Sequence, residues 1–286
     1  MYHHIKIPHK NRLIMKLNSQ LLVAFVCLTL LSVSCKRESF VTKNDISQDI
    51  LQKISAQGFS TENVRKVDNG YLVEGDIVLT NQNLNAKSPS PTLIIANAEQ
   101  YRTTNLVKAL PRVITVSVSG TLTGLTVWSN ATDEFIRRYN ALGLQFTLQR
   151  VSSGGNVDIV GFNEGPSGGY ITLGSSGFPD AAGNPYPQIK MNTNAQAYGS
   201  NPNQGYITSV LQHELGHCIG FRHTDYFNRA LSCGGRKSNE RDGGVGAILI
   251  DGTPSGFDSE SFMLACSSGT DRTFNTNDIV ALNKLY

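Results

Sequence analysis

Three imidazoles, one carboxylate and one glycine stand close together in Gln212-His213-Glu214-Leu215-Gly216-His217-Cys218-Ile219-Gly220-Phe221-Arg222-His223, the pattern HExxHxxGxxH. His213 and His217 are four residues apart, so on a helix their side chains stack on one face and can chelate a single ion. Glu214 sits beside the first of them, where a carboxylate can reach a water at the metal and act as general base without being a ligand. Gly220 enters the left-handed conformation without steric cost, ends the helix and turns the chain so that His223 returns to the ion. Three nitrogen ligands leave a fourth position open, which separates catalytic from structural zinc. The chain has six histidines. Three lie here and the others, His3, His4 and His9, precede the start expected for the protein, so every remaining imidazole is in the motif.

HExxHxxGxxH followed by a methionine turn, here Ser261-Phe262-Met263, resembles the signature of the metzincin clan of zinc endopeptidases. HELGHCIGFRHTD is most similar to the bacterial dual-action HEIGH metallopeptidases, and the likeness extends from Ile46 to Tyr286. The resemblance implies Zn²⁺ on His213, His217 and His223, Glu214 as the catalytic base, and Met263 as an apolar floor beneath the metal. It also implies an α+β fold: a mixed twisted sheet with two long helices in an upper lobe, and a loop-rich lower lobe with a C-terminal helix. Val73-Glu74-Gly75-Asp76-Ile77 is similar to the FxGD motif of astacin propeptides, in which the aspartate occupies the open zinc position; Val73 replaces the phenylalanine. That makes Asp76 a candidate zymogen switch, the other reading being a β-turn with a solvated acid. Astacins place a tyrosine two residues past the turn methionine, but Ala265 stands there, so that role is not carried over.

The elements that must position these residues are legible from periodicity. Tyr206 to Phe221 is the active helix, with Ile207, Val210, Leu211 and Cys218 on its buried side. Arg112 to Val118, Leu144 to Val151 and Asn156 to Phe162 read as strands, Leu122 to Leu142 as a helix carrying Trp128, Phe135, Ile136 and Tyr139, and Pro187 to Met191 as the strand that closes the sheet. Gly169, Tyr170, Ile171, Thr172, Leu173 and Gly174 read as a further strand, either at the edge, where it can hold an extended substrate by strand addition, or inside the sheet. Asp225 to Thr270 is loop-rich. Asn275 and Asp278 cap a final helix with Ile279, Leu282 and Leu285.

Upstream, Asp45 to Gln57 has helical apolar spacing, Val64 to Thr80 reads as strands, and a loop of Asn, Ser and Pro follows. This region looks like a small prodomain, which gives three expected segments: 1–35, 36–108 and a catalytic domain at 109–286. Leu21 to Val33 is an apolar run too short to cross a bilayer, preceded by Lys10, Arg12 and Lys16, and it fits a signal peptide h-region. Met15 is the more natural start. Ser34-Cys35 resembles a lipobox, with Ser32 where leucine is usual, so Cys35 is the expected lipidation site; plain secretion and a retained anchor are the alternatives. Of the five cysteines, Cys27 leaves with the signal and Cys35 takes lipid. Cys233 and Cys266 are then the favoured disulfide, with Cys218 a buried thiol, and with a Cys218 bridge or no bridge as alternatives.

The 286-residue chain carries 25 Lys and Arg against 22 Asp and Glu, a net charge of +3 that suggests neither nucleic acid nor an acidic polymer as partner. The expected function is a zinc endopeptidase of the bacterial cell envelope, an outer-membrane or surface lipoprotein acting on extended protein or peptide substrates. Oligomeric state is left open. A surface binding lipoprotein that keeps the zinc fold without turnover is the rival, and an intact Glu214 argues against it. A zinc hydrolase of non-peptide amides is the third reading.

Overall fold

The computed structural model describes residues 46–57, 59–85, 100–167, 169–240, 245–254 and 257–286. The signal segment, the lipobox and Cys35 lie outside the described residues. Residues 44–286 form one compact unit. Among the described residues, no helix is long and apolar enough to cross a membrane.

The centre of the unit is a five-stranded sheet of β5 (Arg112–Val118), β6 (Phe146–Arg150), β7 (Val157–Phe162), β8 (Gly174–Ser175) and β9 (Gln188–Asn192), in the order β6-β5-β7-β9-β8. The first four in that order run parallel and β8 runs antiparallel to β9. Ile114, Val116, Val157, Ile159, Ile189 and Met191 are buried, as a parallel strand covered on its faces requires. Helix α3 (Thr126–Asn140) puts Trp128, Ala131, Phe135, Ile136 and Tyr139 on its buried side. It packs along α5 (Gln204–Ile219), and the Tyr139 hydroxyl donates to the Gln212 carbonyl at 2.8 Å. Two short helices, α4 (Ala195–Tyr198) and α6 (Ala230–Cys233), come before and after α5 in the chain, and the last helix, α7 (Thr276–Leu285), starts with a full capping box between Asn275 and Asp278. Its C-terminal residue Tyr286 donates its hydroxyl to the Ile219 carbonyl at the end of α5. The mixed sheet, the two long helices and the loop-rich region that ends in a helix make this an α+β fold.

Before the sheet come α1 (Gln48–Ala56), a three-stranded antiparallel meander of β1 (Arg65–Val67), β2 (Gly70–Val73) and β3 (Ile77–Leu79), α2 (Asn81–Asn85), and β4 (Tyr101–Arg102), which pairs with β10 (Ile248–Leu249). Register explains how the meander is held. Leu72 faces Val78 and both join the main core, whereas Val73 faces Ile77 and both join a second cluster with Ile54, Phe59, Leu79, Leu84 and Phe178. Alternation thus buries both faces of this hairpin.

One expected element is displaced. Gly169, Tyr170, Ile171, Thr172 and Leu173 are not a strand; the edge strand begins at Gly174. Tyr170 folds back on Ser167 through two backbone hydrogen bonds, 2.8 and 3.2 Å, and its side chain is exposed. Thr172 spends its hydroxyl on the Gly75 carbonyl at 2.8 Å. Pairing with β9 reaches back only to Leu173, whose carbonyl accepts from the Asn192 amide at 2.8 Å, while tight-turn bonding takes up the backbone groups of Tyr170.

Candidate metal centre

The scaffold for the centre is α5. Asn203 caps its start by accepting from the Tyr206 amide, and Gly220 ends it at φ 112°, with the Gly220 and Phe221 amides bonding back to Gly216. A side chain at Gly220 would press on the Asn105 carbonyl and Leu106, so both conformation and space require glycine there. Gly216 is selected by packing. A methyl group there would run into Met263 Sδ and Phe262, which shows how closely the methionine turn lies beneath the helix.

That turn is fixed from several sides. The Met263 carbonyl accepts from the Thr224 amide at 2.9 Å, the Met263 amide donates to Ser261 Oγ at 3.2 Å, and the Phe262 amide donates to Asp278 Oδ2 at 3.1 Å. Asp278 therefore both caps α7 and anchors the turn; from spacing alone only the cap was visible. Beside it Cys233 and Cys266 form a disulfide, and Cys218 is a free, buried thiol. Asp225 reinforces this join by accepting from the Ala265 amide and the Ser232 hydroxyl.

His213, His217, His223 and Asp76 bring one ligand atom each into a group in which all four lie within 4.8 Å of one another. His217 Nε2 is 3.2 Å from His223 Nε2, and Asp76 Oδ2 is 3.1 Å from His223 Nε2 and 3.8 Å from His213 Nε2. An ion bound tetrahedrally at about 2.0 to 2.1 Å separates its ligands by roughly 3.4 Å, so these spacings are those of a metal cage. The far sides of the rings decide the tautomers. His213 Nδ1 lies 2.9 Å from the Phe262 carbonyl and His217 Nδ1 lies 2.8 Å from the Phe221 carbonyl. Carbonyls only accept, so each Nδ1 carries the proton and each Nε2 presents a lone pair to the shared centre. His223 Nδ1 lies 2.7 Å from Glu240 Oε1, with the same result. Asp76 Oδ1 is buried without a hydrogen-bond partner among the described residues. The donor set fits a divalent metal.

Electrostatics agree with the geometry. Burial alone would raise the Asp76 carboxyl, but the imidazoles of His223 and His213 overcome it and hold the group well below the usual carboxylate range. Glu214 is driven the other way, well above its usual range, by burial first and by the charge of Asp76 second. Its Oε2 accepts from the Ser176 hydroxyl at 2.7 Å. A side chain at Gly174 would press on Glu214 Oε1, so glycine lets the edge strand pass over the acid. Phe178 stands edge-on to His217, ring centroids 5.6 Å apart.

The turn carrying Asp76 reaches the centre by strand addition. The Ser176 amide donates to the Asp76 carbonyl at 2.9 Å, and the Val78 amide donates to the Ser176 carbonyl at 2.7 Å, in a parallel bridge. Glu74 and Gly75 both have left-handed backbones, φ 56° and 97°, and the former costs about 1 kcal/mol in a residue with a Cβ. The Ser60 amide holds the Glu74 carboxyl at 3.1 Å. Arg65 pairs with Glu164 and donates to Thr172 Oγ1 at 2.9 Å, and Lys190 pairs with Asp68 at 3.0 Å. Spacing in the sequence pointed to the histidines, Glu214, Met263 and Asp76. Glu240 and Ser176 escaped it, because neither lies at a motif distance from the ligands.

Three converging imidazoles, an adjacent carboxylate and a half-buried second acid on an α+β scaffold define a metal-dependent hydrolase. The chain belongs to the dual-action HEIGH metallopeptidase family, whose model matches residues 71–286. It is therefore a metallopeptidase, with Leu215 where the family's name has isoleucine. No curated protein matches the chain. Two solved structures of myroilysin are similar to it: one at 13% identity over 63% of this chain and 82% of that one, TM-score 0.38, the other at 12% identity over 74% and 98%, TM-score 0.39.

Proposed function

We propose that the protein is a zinc-dependent endopeptidase held latent by its own residues 36–108. His213, His217 and His223 hold the ion, Glu214 is the general base, and Asp76 fills the fourth position until the segment is cut. The observation that carries this reading is the convergence of three Nε2 lone pairs and Asp76 Oδ2 on one point. Zinc there supplies electrophilic polarisation of a carbonyl and lowers the pKa of water. Glu214 accepts the water's proton and passes it to the departing amine, and a carboxyl raised by burial takes up that proton the more readily. Ser176 orients that carboxyl. The Ser176 amide and carbonyl, which the Asp76 turn now engages, are the groups an extended substrate would pair with. Met263 supports the cage from below.

Purified chain, before and after cleavage in the stretch joining the segment to residue 109, is incubated with casein, with a chelator and with zinc added back. Only the cleaved form should turn over casein, the chelator should abolish turnover, and zinc should restore it. Chelator-resistant turnover would overturn the zinc assignment. A cleaved, zinc-loaded protein without turnover would make it a binding protein.

A further inference from the structure

The three imidazoles are not supported alike. His213 and His217 ride on α5 and lean on carbonyls of Phe262 and Phe221. His223 lies past the helix end and faces a charged side chain instead, Glu240, at 2.7 Å. We propose that Glu240 is a positioning residue for the third metal ligand, setting the orientation, the tautomer and the donor strength of His223. The inference rests on the reading that the imidazoles hold a metal.

Several observations make Glu240 more than a neighbour. Its side chain and that of His223 are both fully buried, and an acid does not stay there unless its charge is met. Arg229 meets it at 2.6 Å and Arg222, itself fully buried, at 3.4 Å. The backbone is pinned as well: the Glu240 amide donates to the Tyr226 carbonyl at 2.7 Å, and the Arg229 amide donates to the Ser238 carbonyl at 2.9 Å. The excursion between Arg229 and Glu240 thus returns to a defined place beside the ligand. A carboxylate that accepts from one ring nitrogen makes the other a more basic donor, and losing such a partner costs 10- to 100-fold in metal affinity in general. A backbone carbonyl polarises less, so of the three ligands His223 is the one strengthened by charge. Glu74 reaches the same place from the opposite side, its carboxyl within 4.8 Å of both His223 and Glu240. The turn that carries Asp76 therefore also lies beside the support of the third ligand.

The competing account is that Glu240 merely neutralises two buried arginines. The two accounts separate in the full-length chain by zinc affinity, measured by competition with a chromophoric chelator. Glu240→Gln keeps an acceptor for His223 Nδ1 and loses the charge, and should weaken zinc about tenfold or more. Arg229→Met removes an ion pair of the same network but leaves His223 its partner, and should lower the melting temperature with zinc affinity within about twofold of wild type. Equal zinc affinity for Glu240→Gln and wild type would overturn the proposal. Should Glu240→Gln not fold, long-range ¹⁵N–¹H correlation on the zinc-loaded wild type decides. A proton on His223 Nδ1, shifted further downfield than those of His213 and His217, is the expected result, and its absence refutes the assignment. A wild type that binds no zinc would instead remove the metal centre itself.

Discussion

The four ligand atoms come from two regions built in different ways. Three come from α5 and the turn after it, where the helix, Gly220 and the methionine turn form one apolar block and Ile207, Leu211, Leu215, Ile219 and Met263 are essentially inaccessible. The fourth, Asp76, comes from a hairpin tip held by two backbone bonds to Ser176, a hydroxyl from Thr172 and the imidazoles themselves. The block is held by burial, which is non-directional and hard to undo in part. The tip is anchored at its base by Val73 and Ile77 in the second apolar cluster, but Asp76 itself is placed by directional polar contacts that an extended peptide can replace. On the function proposed above, that contrast would make the imidazoles a permanent cage and Asp76 an exchangeable fourth ligand.

The contrast can be tested from both sides. The largest expected effect is on the permanent side. Glu214→Gln, in chain freed of residues 36–108, should retain zinc and the fold yet lose roughly 10³-fold in kcat, since it removes the proton carrier and no ligand. Elemental analysis beside peptide kinetics reads both quantities, and undiminished turnover would mean that another group is the base. The next effect is on the exchangeable side. Asp76→Ala should raise the peptidase activity of the uncut chain on the order of tenfold or more, the equivalent of at least about 1.4 kcal/mol of inhibition. Equal activity of the two uncut chains would return Asp76 to the role of a β-turn acid. The smallest effect concerns packing. Gly216→Ala sets a methyl group against Met263 and Phe262 and should destabilise the protein by about 1 to 2 kcal/mol in urea unfolding, the overpacking cost exceeding the gain in helix propensity. An unchanged unfolding midpoint would show that the floor under the cage is looser than its geometry implies.

The spacing of His213, His217, Gly220 and His223 was enough to locate the cage, because an α-helix maps residue number directly onto direction in space and one left-handed residue extends that map by a turn. The apolar periods of α3 and α5 and the Asn275–Asp278 cap are local in the same sense, and the bounds of α5 were readable within two residues and those of α3 within four. Tertiary structure alone decided the rest. Tyr170 to Leu173 alternate like a strand, yet only the Leu173 carbonyl bonds to β9, and the paired strand begins at Gly174, where Glu214 leaves room for backbone without a side chain. Glu240 sits in a polar loop with nothing in its surroundings to announce it. Its role exists because the chain closes on itself between Arg229 and Glu240 and sets a carboxylate against His223 Nδ1. Asp76 was visible only as a motif, and its distance from the imidazoles depends on strand pairing between residues far apart in sequence. Helical spacing is written in consecutive residues, whereas the partner of an edge strand or of a buried charge is chosen by whichever distant segment can satisfy its hydrogen bonds once the core has formed.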